Sequence, residues 1–135
     1  MGQSKQKEDE IAAQLARLEE ISQLAEKEGE AIERAMLESE AIRREVTERP
    51  MKDVLLARKY RTRVGLFGIR LEKLLLRVDE VDSLGGVEEI RQRRKQAVRR
   101  MEALLRNADG LNAVANELVV TQDKLMQRVE DDGAL

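Results

Sequence analysis

Residues 72–102 read EKLLLRVDEVDSLGGVEEIRQRRKQAVRRME, and the order of features in this stretch decides the fold. A leucine-rich run ends in Asp82-Ser83-Leu84-Gly85-Gly86, where the paired glycines offer the left-handed backbone that commonly follows a helix. Val87-Glu88-Glu89 then opens another helix with two carboxylates at the positive end of its dipole. So short a break turns the chain back on itself. The expectation is two antiparallel helices that expose charge on a common side.

Upstream of this hairpin, Tyr60, Val64, Phe67, Leu71, Leu74, Val78 and Val81 alternate steps of four and three without a miss, the period of a buried helical seam. A second stripe of Leu66, Ile69 and Leu76 widens the apolar surface and predicts a central helix that touches both neighbours. Gly65 and Gly68 either allow close helix approach or kink the helix. Pro50 lacks an N–H and clashes with a preceding helical turn. It is expected to end the first helix near Thr47 and to open the second, with Asp53 in the first turn.

The first helix is read from Ile11, Leu15, Leu18, Ile21, Ala25, Ile32, Met36, Ile42 and Val46, with Gly29 a weak point costing about 1 kcal/mol relative to Ala. Its run of glutamates, Glu19 to Glu33, reads as a solvated face. The third seam is Val87, Ile90, Ala97, Met101, Leu104, Ala108, Leu111, Ala115, Leu118 and Leu125, broken only by Arg94. The phase survives Asn107-Ala108-Asp109-Gly110, so this helix continues to about Val129. Leu105, Val119 and Leu76 lie off the main seams and are candidates for pairing two chains.

The fold class is therefore all-α, an elongated antiparallel three-helix bundle with helices at about 8–48, 51–84 and 87–129. A disordered leader at about 1–7 precedes this one domain, and a frayed tail at about 130–135 follows it. Met1-Gly2 opens like a myristoylation signal, but Gln6 stands where Ser or Thr is needed. In 135 residues, 39% are charged and 1% aromatic, so the core must be aliphatic and the bundle slim.

The absence of Cys and His removes thiol nucleophiles, disulfides, imidazole acid-base chemistry and His-ligated metals. A slim bundle also seldom offers a concave pocket. No enzyme, metal or cofactor is expected. With no long apolar run, the expectation is a soluble intracellular protein, cytoplasmic, with the nucleus open as a second location.

What remains is the basic cluster Arg91, Arg93, Arg94, Lys95, Arg99 and Arg100. On a helical wheel Arg94 falls close to the apolar seam, while Arg91, Lys95, Val98 and Glu102 form the flank beside it. An arginine so near a seam either lays its stem on it and reaches water or waits for a partner. Nucleic acid is disfavoured as that partner, because the net charge is -2 and no aromatic stands in the cluster to stack on bases. A membrane surface is disfavoured because no Trp or Phe opposes the basic face.

Taken in order, Glu72, the leucine run 74–76, Asp82-Ser83-Leu84, the short loop, Ile90 to Arg100, Leu104-Leu105 and Asp109 resemble the BAG domain of heat-shock co-chaperones. The match covers about residues 60–112 well, and the first helix only as a long amphipathic helix in the right place. The resemblance implies a three-helix bundle whose second and third helices bind the nucleotide-binding domain of a heat-shock protein 70 chaperone and promote ADP release. Carried over by position, the family's contacts fall on Glu72, Asp82, Arg94 and Glu102. At Glu102 the family pattern often has Gln, and a carboxylate cannot donate as an amide does. The charge pattern adds Arg91 and Lys95, and the same flank adds Val98. The competing reading is a coiled-coil scaffold that oligomerises or binds partner helices, and a homodimer is compatible with either.

Overall fold

The computed structural model describes residues 2–133. Three helices, α1 (Gly2–Glu48), α2 (Leu56–Asp79) and α3 (Glu88–Gly133), account for nearly all of them. Ion pairs fix their directions. Arg93–Glu19, Arg100–Glu26 and Arg43–Glu117 climb both helices together, so α1 and α3 run parallel. Arg77–Glu20, Arg70–Glu28 and Arg63–Glu38 descend α2 as α1 ascends, so α2 runs antiparallel to both.

At 1.5 Å per residue α1 and α3 are each about 70 Å long and α2 about 36 Å. The long helices therefore overhang α2 at opposite ends, and residues 4–10 and 127–133 are exposed all round. This differs from the leader and tail expected from the sequence: Gly2 to Lys7 belong to α1, and α3 runs on to Gly133. Neither end carries a Pro, and Gln, Lys and Glu are good helix formers. Met1, Ala134 and Leu135 lie outside the described residues.

The seam of α2 is buried along its whole length, Tyr60 to Val81. It packs against Leu18, Ile21, Ala25, Ile32, Ala35, Ile42 and Val46 of α1 and against the α3 seam from Ile90 to Leu118. Met36 is not in the core: it is 51% exposed and its neighbour Ala35 is buried instead. The three-four phase from Ile32 to Ile42 places residue 35 in the seam, and the Tyr60 hydroxyl donates to the Ala35 carbonyl there. Val119 is buried as well, which removes it from any pairing surface. Leu105 packs at the edge of the core. The second stripe of α2, Leu66, Ile69 and Leu76, stays exposed, and of the three only Leu66 borders a groove shared with α1.

The glycines reverse their expected roles. A Cβ on Gly65 or Gly68 would meet nothing within 4 Å, so neither mediates a close approach, and α2 is continuous through both. At Gly29 a Cβ would lie 3.0 Å from Leu104 Cδ2. The weak point of the sequence is a place where α1 packs tightly on α3.

Helix α2 is shorter than expected at both ends. Pro50 is buried in a turn and does not open the helix. Asp53 accepts the Leu55 N–H on Oδ1 at 3.1 Å and the Leu56 N–H on its carbonyl, a local arrangement that competes with helix. The N-terminus of α2 is then capped from far away. Gln122, 2% exposed, accepts the Ala57 N–H at 3.0 Å and donates to the carbonyls of Pro50 and Asp53. At the other end Asp82 Oδ1 takes the Leu84 N–H at 2.8 Å, and Leu84, Gly85 and Gly86 all have positive φ. Residues 80–84 are thus loop instead of helix.

Candidate functional site

The basic cluster of α3 splits in two when α1 docks. Arg93 and Arg100 turn toward α1, and Arg100 grips Glu26 through two bonds of 2.7 and 3.1 Å. This pair holds the Glu26 carboxyl below its ordinary range and raises the Arg100 guanidinium, in each case chiefly through the hydrogen bond between them. Arg91, Arg94, Lys95 and Arg99 have no carboxylate within 4.0 Å among the described residues. With Val98 and Glu102 they line a shallow groove of about 460 Å³. Arg94 and Val98 are half-buried and form its floor; the others stand at its rim.

Helix α2 is sorted in the same way. Arg63, Arg70 and Arg77 all pair with α1 glutamates, and Arg63 and Arg70 also lie over the Tyr60 and Phe67 rings. Glu72 stands on the opposite flank, exposed and without an ion-pair partner among the described residues. The Arg58–Asp123 pair shows which flanks of α2 and α3 meet. By the 100° step of a helix, Glu72 lies about 40° from Arg58, and Arg94 and Val98 about 20° either side of Asp123. Glu72 and the α3 groove therefore open on one face, the face away from α1.

Asp82 lies in the loop that joins α2 to α3, beside α1. Its own N–H donates to Gln14 Oε1 of α1 at 3.2 Å, while its carboxylate holds Leu84. Of the seven residues singled out in the sequence, Arg91, Arg94, Lys95, Val98 and Glu102 share the groove, whereas Glu72 and Asp82 lie outside its lining, on α2 and in the loop.

Two participants were not among the residues singled out for binding. Arg99, named in the sequence only as part of the basic cluster, lines the groove one turn after Lys95. Gln14 had no signal at all, because its role depends on how far α1 extends past α3. Among the described residues no side-chain cluster has the composition of a metal site, and no helix is long and apolar enough to cross a membrane.

A long α1 packed beneath an α2–α3 hairpin, with an unpaired basic groove on the hairpin, is the arrangement expected of the family that the sequence resembles. A family model of the BAG domain matches residues 4–111. The chain belongs to the BAG-domain family. The match takes in α1 from residue 4 onward, all of α2 and the groove-bearing half of α3. Residues 112–133, the part of α3 that supplies Gln122, lie beyond it. No curated protein and no solved structure matches the chain. BAG domains are binding domains of heat-shock protein 70 co-chaperones and do not form an enzyme family, so the chain is placed among partners of those chaperones.

Proposed function

We propose that this chain is a nucleotide exchange factor: its α2–α3 face binds the nucleotide-binding domain of a heat-shock protein 70 chaperone and promotes ADP release. The observation that carries the reading is the groove of unpaired cations around Arg94 on the hairpin of a BAG domain. Exposed charges with internal partners contribute little to recognition, whereas charges left unpaired are available to a partner's carboxylates. Glu102 lines the groove with these cations and Glu72 stands on the same side of the hairpin, so the face presents both signs, which favours specificity and register.

No catalysis is required. A stiff face that fits the open form of a two-lobed domain better than the closed form shifts the equilibrium by at most its differential affinity. Moving such a domain from 1:99 to 99:1 takes about 5.5 kcal/mol of preference. Truncating one member of a desolvated interfacial pair costs about 2–5 kcal/mol, so two or three such pairs suffice. The experiment is release of labelled ADP from a purified cytosolic heat-shock protein 70 with and without the full chain. Faster release is expected. Binding without faster release would leave the chain an adaptor, and no binding would remove the reading altogether.

A further inference from the structure

Leu66, Ile69 and Leu76 are 43%, 51% and 63% exposed on the outer face of α2, outside the core of the bundle. They are not scattered. With Thr62, Lys73 and Glu80 they recur at alternating steps of four and three, and all six are exposed. This is the spacing of a coiled-coil seam, and it is a second seam on a helix whose first is already buried.

The flanks of the outer seam are sorted by charge. Toward α1 stand Arg63, Arg70 and Arg77; on the other side stand Gly65, Glu72 and Asp79. Glu72 and Asp79 have no ion-pair partner among the described residues, and Arg77 is held only loosely, 3.6 Å from Glu20 with 44% of its side chain exposed. Such a face is self-complementary in one orientation. If two copies pair with their α2 helices in the same direction and in register, the acidic flank of each meets the basic flank of the other. Glu72 then faces Arg77 of the second copy, five residues on, and the two-fold axis makes that contact twice. In the opposite orientation Glu72 and Asp79 would face acids, and the arginines would face arginines. Lys73, at a seam position, falls beside Glu72 of the second copy, and a lysine there fixes register at some cost in stability.

We propose that α2 pairs through this outer face with α2 of a second copy, parallel and in register. Glu72 belongs to this face and to the face assigned above to the chaperone, so the two associations exclude each other; only this exclusion rests on the exchange-factor reading. Three apolar positions per copy make a small interface of the transient class. The dimer is accordingly a concentration-dependent reserve and not an obligate state.

The chain has no cysteine, so Leu76→Cys and Ile69→Cys each introduce one reporter thiol. Parallel in-register pairing brings each thiol to its own counterpart at disulfide distance. The full-length variants, oxidised mildly at high protein concentration, should form disulfide dimers at least tenfold faster than an off-seam variant, Arg44→Cys. Sedimentation velocity of the cysteine-free chain should show a concentration-dependent dimer that Leu76→Glu abolishes. Cross-linking no faster than Arg44→Cys would overturn the pairing. So would a monomer at all concentrations, or preferential disulfides between Leu66→Cys and Leu76→Cys chains, which mark antiparallel pairing. The cross-linked Leu76→Cys dimer should lose stimulation of ADP release and regain it on reduction. A cross-linked dimer as active as the reduced one removes the exclusion and leaves the pairing. A reduced variant and wild-type chain that both fail to stimulate release remove the exchange-factor reading and leave the pairing as well.

Discussion

Arg94 and Arg100 lie six residues apart in one helix, carry the same group, and should behave in opposite ways when cut to Ala. Arg100 holds Glu26 through two hydrogen bonds with about half of each side chain exposed. Exposed pairs of this kind contribute about 0.2–1 kcal/mol, so Arg100→Ala should lower the stability of the bundle slightly and leave chaperone affinity within about twofold. Arg94 has no ion-pair partner to lose among the described residues. Its removal should barely move the denaturation midpoint, yet it takes a half-buried cation from the floor of the groove. With a desolvated partner carboxylate left unpaired, the cost is about 2–5 kcal/mol. At about 1.4 kcal/mol per decade that is a loss of roughly 30-fold to several thousandfold in affinity. The assays are urea unfolding for stability, and calorimetry plus labelled-ADP release for binding. Equal weakening by Arg100→Ala and Arg94→Ala would refute the reasoning, because it would mean that the cluster acts as a diffuse positive field and not as a directed site.

Gln122→Leu should destabilise by about 2–4 kcal/mol with an unchanged urea m-value, because it strands the buried Ala57 N–H and the Pro50 carbonyl and leaves the Asp53 carbonyl only its bond from Leu56; stability within about 0.5 kcal/mol of wild type would contradict the distal cap. Gly29→Ala should lose up to about 2 kcal/mol, since the new Cβ meets the buried Leu104 at 3.0 Å and overpacking outweighs the helix propensity gained. The same change at Gly65, where a Cβ meets nothing, should instead add about 0.5–1 kcal/mol. Gln14→Ala should slow stimulated ADP release severalfold with little change in unfolding midpoint, while Gln14→Glu, which keeps the acceptor for the Asp82 N–H, should recover part of the rate. Acid should weaken the bundle: the hydrogen bonds from Arg100 and Arg63 hold Glu26 and Glu38 below their ordinary range. Carboxylates depressed on folding contribute fully above the unfolded value, about 4.3, and lose that contribution as pH falls through the folded one; a midpoint flat down to pH 2 would contradict these pairs.

The inner seam of α2 and the Gly85-Gly86 break were legible in the sequence because both are local. Seven residues at strict four-three spacing have one way to be buried, and two adjacent glycines beside Asp82 have few alternatives to a loop. The start of α2 was not legible, because its cap is a glutamine 65 residues away. Met36 looked like core by its size, but the three-four phase of Leu18, Ile21, Ala25, Ile32, Ile42 and Val46 puts Ala35 in the seam and Met36 beside it. Gly29 reads as a defect in helix propensity, and only the approach of Leu104 explains it. Within the site, Arg94 stood out by its nearness to the apolar seam. The division of its neighbours into paired Arg93 and Arg100 and unpaired Arg91, Lys95 and Arg99 depends on which flank α1 takes.

That choice of flank joins fold to function. Helix α1 carries nearly twice as many acidic as basic side chains, and α2 is predominantly basic. Five arginines of α2 and α3, Arg63, Arg70, Arg77, Arg93 and Arg100, reach α1 glutamates. Each pair is weak by itself, but together they sort the charge: cations on the α1 side of the hairpin are neutralised, and those on the far side are not. A partner approaching the α1 side meets a surface that is already satisfied. A partner approaching the groove meets Arg91, Arg94, Lys95 and Arg99 with their charge uncommitted. Helix α1, about 70 Å long, backs the hairpin, and on the exchange-factor reading proposed above this backing keeps the face from following a lobe that closes. A stiff face of this kind binds one conformation of a two-lobed partner better than the other, and that difference is the only quantity an exchange factor has to supply.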